Sequence, residues 1–164
     1  VIAVIADTHM PKGGRRLPAR CVELLGEAEA AIHAGDFSAS SALAEVERLC
    51  PVVHAVHGNV DEPALRRALP ATLEVPVGAW TVAVVHDAGP AKGRLGRLRR
   101  RFPRADLVVF GHSHLPLHEE EGGFQIFNPG SPTERRRAPQ RSMGVLRPGP
   151  GGLTCEHVWL GATG

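Results

Sequence analysis

Residues 1–9 read VIAVIADTH: six apolar residues without a charge, then an aspartate and, two positions on, a histidine. A short, β-branched, unbroken apolar run is the pattern of a strand buried on both faces, as in a parallel sheet. The polar pair then sits at that strand's C-terminal end. The arrangement returns four times: AAIHAG before Asp36, VVHAVHG before Asn59, TVAVV before His86, and DLVVFG before His112-Ser113-His114. Parallel strands bring their C-terminal ends to one edge, where open α/β sheets bind ligands. Asp7, His9, Asp36, Asn59, His86, His112 and His114 are therefore expected on one rim. Oxygen and imidazole donors suit borderline divalent metals, and seven are too many for one ion but fit two.

Outward from these strands, the first half alternates. LPARCVELLGEA (17–28) has helical spacing, with Pro18 in a first turn. A strand follows at 29–34, and Ser38 is positioned to cap a helix ending near Leu49 before Pro51. A third strand covers 52–57 and a short helix 62–68. Segments 72–77 and 79–86 alternate around Gly78, which reads as a hairpin. A basic helix at about 91–102 leads into the strand 106–110, and short strands are expected at 115–120, 124–127, 142–147 and 153–160. A βαβα beginning with a β-rich sequel implies an α/β fold of two packed sheets flanked by helices. No linker or repeat divides the chain, so residues 1–164 read as one domain.

Composition excludes more than it selects. With 43% hydrophobic and 22% charged residues the chain is a globular type, and no apolar run approaches the roughly 20 residues of a membrane span. Val1 opens directly on a strand, so no secretory leader is expected. Cys21, Cys50 and Cys155 are scattered and odd in number, which reads as reduced thiols in a cytoplasmic protein. A net charge of +2 does not argue for nucleic acid, and the absence of Tyr removes common stacking platforms.

Written as motifs, the chain carries DTH, GD, GNVD, a strand-ending His, GHSH and NPGS in order from Asp7 to Ser131. That set resembles the calcineurin-like metallophosphoesterases. Within them it is similar to the small YfcE-type phosphodiesterase branch, to which the retromer subunit Vps29 is also related. The resemblance implies a four-layer α/β/β/α sandwich with two mixed sheets. It implies two divalent metals, manganese foremost, with Fe, Ni, Co or Zn as alternatives. Asp7, His9, Asp36 and His114 would hold the first and Asp36, Asn59, His86 and His112 the second. Asp36 would bridge, because two neighbouring cations need a shared anion to screen their repulsion.

The implied activity is phosphodiester hydrolysis by in-line attack of a metal-bound hydroxide, with Asp36, Asn59 and His86 at the chemistry. Two alternatives are a phosphomonoesterase of the same fold and a Vps29-like non-catalytic scaffold. A small phosphodiester is the expected substrate, and a homodimer or homotetramer the expected assembly; a nucleic-acid partner is not expected. Many members of the superfamily carry a leaving-group acid directly after the asparagine; here Val60 stands there, as is common in the small branch. Asp87 replaces a frequent glycine and would repel substrate, pair with an arginine or rest in its loop.

Other residues are read more plainly. Gly35, Gly58 and Gly111 let the backbone turn sharply before a ligand. Asn128-Pro129-Gly130-Ser131 is a turn that supports the GHSH loop. His33 and His57 are core or surface histidines, and His118 and His157 are expected to face solvent. The arginines between Arg94 and Arg104 are expected on a solvated helix face. Of Arg135, Arg136 and Arg137, which follow NPGS, Arg135 is the expected substrate contact beside Asn59.

Overall fold

The computed structural model describes residues 1–162. Ten strands form two five-stranded sheets. The first contains β1 (Ile2–Ile5), β2 (Ala30–His33), β3 (Val53–Ala55), β9 (Arg141–Gly149) and β10 (Gly152–Gly161), in the order β10-β9-β1-β2-β3. The second contains β4 (Thr72–Val77), β5 (Trp80–Val85), β6 (Leu107–Val109), β7 (Leu117–Glu121) and β8 (Phe124–Asn128), in the order β4-β5-β6-β8-β7. Both sheets are mixed: β1-β2-β3 and β5-β6-β8 run parallel, while the remaining pairs are antiparallel. The β-rich second half is thus less antiparallel than its short strands suggest.

The period of two in each strand sorts its side chains between two interfaces. Ile2, Val4 and Ala6 join Ala30, Ile32, Val82, Val84, Leu107, Val109 and Phe127 between the sheets. Ala3 and Ile5 point the other way, onto α1 (Ala19–Glu27) and α2 (Ser40–Leu49), where Cys21, Leu25, Ala42 and Val46 are buried. Leu65 of α3 (Pro63–Ala68) joins that layer. On the outer face of the second sheet, Ala83, Val85, Val108 and Phe110 pack on Leu98 of α4 (Arg94–Arg101) and on Phe102. The result is an α/β/β/α stack. The strands need two apolar faces because each sheet is covered on both sides.

Three local expectations are corrected. Ser38 does not cap α2, which begins at Ser40; Ser38 has φ 81° and its N–H donates to Asp61. Glu62 supplies the cap instead, its carboxylate accepting from the Ser40 N–H and hydroxyl. His157 is half-buried, stacked on Phe127 at 4.4 Å and hydrogen-bonded to the Asn128 carbonyl at 2.8 Å; His118 is exposed. The basic helix is shorter than its composition implies, since Gly93 at φ 70° starts it. Its arginines also do more than meet solvent: Arg94 and Arg99 lie over Phe110 and Phe124, and Arg97 donates to the Ala88 and Pro90 carbonyls. All three cysteines are free, and no helix among the described residues is long and apolar enough to cross a membrane.

Candidate metal centre

The C-terminal ends of both sheets meet at one rim, and each contributes to two clusters of donors. Asp7 and His9 follow β1 and His114 follows β6; they form one group. Asp36 follows β2, His86 follows β5 and His112 follows β6; they form the other. Within each group the donor atoms lie within 4.8 Å of one another. Asn59, after β3, belongs with the second, its Oδ1 3.0 Å from His86 Nε2 and 3.2 Å from His112 Nδ1. Asp36 Oδ2 stands between the groups, 3.1 Å from His86 Nε2 and 3.8 Å from His9 Nε2.

The backbone is bent to achieve this. Asp7, His9, Asp36, His112 and His114 all have φ between 45° and 75°, the left-handed region that costs a non-glycine residue of order 1–3 kcal/mol. Hydrogen bonds hold the bends. Asp7 N–H donates to Gly35 O at 2.9 Å and His9 N–H to Asp36 O at 3.0 Å, stitching the β1 loop to the β2 loop. The Ser131 hydroxyl donates to Asp7 O, Thr133 to Thr8 O, and Asn128 Nδ2 to Gly111 O, so the NPGS turn braces two ligand loops. Gly58 has a steric reason: a Cβ there would collide with the Asp36 carboxylate.

Asp61 is the residue the sequence reading passed over. Its buried carboxylate accepts N–H bonds from Asp36 (3.1 Å), Ser38 (2.8 Å) and Gly58 (2.7 Å), gathering the β2 and β3 loops on one side chain. The only signal was a second acid two residues after Asn59.

Three of the histidines are oriented from behind. His86 Nδ1 lies 2.8 Å from the Ala34 carbonyl and His114 Nδ1 3.3 Å from the Glu134 carbonyl, so both carry hydrogen there. His9 Nδ1 meets the Ser38 hydroxyl at 3.5 Å. Their Nε2 lone pairs are left aimed inward, the usual preparation of a metal ligand. His86 Nε2 then faces two oxygens, and only a proton or a cation makes that favourable. Asp7 is wholly buried, and among the described residues both its carboxylate oxygens, like His9 Nε2, have no hydrogen-bond partner. A buried unpaired carboxylate is costly unless a cation compensates it. The donor set therefore fits divalent metal.

The metal-free electrostatics agree. Burial, with the Asp36 charge adding to it, drives the Asp7 carboxyl up to about 7. Burial also lowers His9, and lowers His114 to about 4 with help from Arg136. Burial opposes both members of the Asp36–His86 pair, but their mutual hydrogen bond and charge win, holding Asp36 below and His86 above their ordinary values. His33 is a core residue: fully buried, stacked on Phe37 at 3.5 Å, and bonded to Thr8 and Gly35.

Two pockets flank the centre. One, of about 370 Å³, is lined by His9, Lys12, Arg15, Ser38, Val60, Glu134 and Arg136. The other, of about 300 Å³, includes His57, Asn59, Arg66, His86, Asp87 and Arg101. Arg135 lines neither, and its guanidinium donates to the Ala138 carbonyl, while Arg136 lines the first pocket. Asp87 rests in its loop, accepting the Gly89 N–H at 2.8 Å.

Residues 1–148 match the calcineurin-like phosphoesterase superfamily domain. A probable metallophosphoesterase of Methanothermobacter thermautotrophicus is 31% identical over 164 residues, covering 99% of this chain and 94% of that one. The chain belongs to the calcineurin-like phosphoesterase superfamily. Solved structures repeat the fold. A Thermotoga maritima protein superposes with a TM-score of 0.75 at 27% identity, covering 97% of this chain and 98% of that one. Wild-type Vps29 of Entamoeba histolytica, complexed with zinc, superposes with a TM-score of 0.75 at 23% identity over 97% and 98%. A member of this superfamily is expected to be a phosphoesterase with a metal centre, and the donor clusters lie where strands β1, β2, β3, β5 and β6 end.

Proposed function

We propose that the chain is a dinuclear-metal-dependent phosphodiesterase. The reading is carried by one observation: two mostly buried clusters of donors flank the Asp36 carboxylate, and among the described residues the Asp7 carboxylate oxygens and His9 Nε2 have no hydrogen-bond partner. Asp7, His9, Asp36 and His114 would hold one ion and Asp36, Asn59, His86 and His112 the other. Divalent cations there would supply Lewis acidity towards a phosphoryl oxygen and would lower the pKa of coordinated water to about 7. Manganese is the proposed occupant; zinc, which Entamoeba Vps29 binds, and iron, nickel or cobalt suit the same mixed donors.

The protein's own groups divide the remaining work. Asp36 fixes the spacing of the two clusters. Asn59 turns Oδ1 towards His86 and His112, leaving its NH₂ to donate to a non-bridging phosphoryl oxygen as charge develops. Val60 is 48% exposed at the pocket edge and offers no proton to a leaving group. A missing acid costs about 10²–10⁴-fold, so aryl esters should outrun alkyl esters.

The fold shared with Vps29 favours a second reading, a scaffold without catalysis. The buried Asp7 carboxylate supports a bound cation under either reading, since Vps29 of Entamoeba is itself complexed with zinc, so turnover rather than metal binding separates them. Hydrolysis of bis-p-nitrophenyl phosphate and p-nitrophenyl phosphate, metal-free and with each candidate metal, separates the readings. The diester should be cleaved only with metal, and Asp36→Asn should lower the rate about a thousandfold or more. Cleavage of the monoester alone selects a phosphomonoesterase. No cleavage with any metal selects the scaffold.

A further inference from the structure

The pocket on the His9 side carries an excess of positive charge that the metal centre does not use. Lys12, Arg15 and Arg136 line it, against one carboxylate, Glu134. Arg15 Nη2 pairs with Glu134 Oε1 at 3.1 Å, and Arg136 Nε lies 3.8 Å from its Oε2. That oxygen is also 3.8 Å from His114 Nδ1, so a single anion is divided among three neighbours. Lys12 has no ion pair among the described residues. Three cations facing one carboxylate leave two positive charges uncompensated in a concave space.

The cations are also positioned. Arg15 Nη1 donates to the Lys12 carbonyl at 2.9 Å, folding the Lys12–Gly14 turn so that both basic groups line the same wall. Arg136 is held with φ 46°, the only left-handed non-glycine residue after NPGS among the described residues. His9 belongs both to this pocket and to the first donor cluster, so a ligand filling the pocket adjoins the scissile group. At about 370 Å³ the space is ample for a phosphate and part of the sugar or glycerol bearing it.

We propose that the pocket formed by Lys12, Arg15 and Arg136 is an anion subsite for a second phosphate, so that the preferred diesters carry a phosphomonoester on the arm next to the scissile linkage. A phosphomonoester brings between −1.5 and −2 charges, which matches the uncompensated pair, whereas a carboxylate brings one. Two guanidinium forks beside an ammonium suit its three oxygens. The proposal rests on the phosphodiesterase reading for its meaning, but its test is a binding measurement.

Thymidine 3′,5′-bisphosphate and thymidine 5′-phosphate are titrated by calorimetry into the manganese-loaded protein. The bisphosphate should bind about tenfold more tightly or better. In Lys12→Ala/Arg136→Ala the gap should shrink to about threefold or less, and Lys12→Glu alone, an exposed change that leaves the core untouched, should narrow it in the same direction. Equal affinities in the wild-type protein, or a gap that survives in the double variant, overturn the subsite. Absence of bis-p-nitrophenyl phosphate turnover alongside a preserved gap overturns the phosphodiesterase reading and leaves the subsite standing.

Discussion

At the scale of single residues, the fold contains groups whose present state is unfavourable without a cation. Asp7 is the sharpest case. Its folded carboxyl titrates near 7, well above the ordinary 3.8, so between about pH 4 and 7 the folded metal-free protein holds a proton that the unfolded chain has released. The contribution of Asp7 to stability therefore falls as pH rises through that window. Asp7→Asn lacks this loss. In chelator-treated protein its stability relative to wild type should grow by roughly 4 kcal/mol from pH 4 to pH 8 in urea titrations. Added manganese should reverse the ranking, because the wild-type protein gains ligand linkage that the variant loses. A gap that stays flat with pH would contradict the burial of an unpartnered carboxyl. Asp61 makes a complementary prediction. Asp61→Ala leaves three loop N–H groups without their acceptor and should cost about 3 kcal/mol. The same variant should weaken manganese binding by about 10–100-fold, because Asp36 loses its support. An unchanged binding isotherm would remove Asp61 from the positioning of the site.

At the scale of elements, the site depends on how closely the two sheets approach. Gly144 of β9 faces the ring of Phe127 from β8, and a Cβ at residue 144 would overlap that ring. Gly144→Ala should lower stability by about 1–3 kcal/mol through overpacking, read as a shifted urea midpoint. An unaltered midpoint would mean the sheets separate more easily than this packing implies. The elements also show what a sequence exposes. The strands over 1–6, 29–34 and 106–110 were legible because each is covered on both faces and reads as an unbroken apolar run. The start of α2 was not. Ser38 has the chemistry of a cap, but it lies two residues before the helix in a left-handed conformation held by its N–H bond to Asp61, and Glu62 caps the helix from 22 residues downstream. A long-range partner leaves no local pattern. The face of His157 was misread for a similar reason: its partner, the Asn128 carbonyl, is 29 residues away.

At the scale of the whole molecule, the convergence of the seven side chains was legible because strand ends impose their positions, and five parallel strand ends leave little freedom in where those side chains meet. Pairing and sheet order were less accessible. That β9 runs antiparallel beside β1 joins segments more than 140 residues apart, as in Ile2 with Leu146, and no turn signal encodes it. Arg136 rather than Arg135 at the pocket depends on one left-handed residue, which composition cannot specify. The molecule then reads as a single physical argument. Two covered sheets end together, their loops are bent and braced at a stability cost, and the bends bring together acids and imidazoles that fit divalent metal. The most direct measurement is anomalous diffraction from crystals of the protein loaded with manganese. The account predicts two anomalous peaks, both contacted by the Asp36 carboxylate, one flanked by Asp7, His9 and His114 and the other by Asn59, His86 and His112. A lone peak, or two peaks that Asp36 does not join, would contradict it.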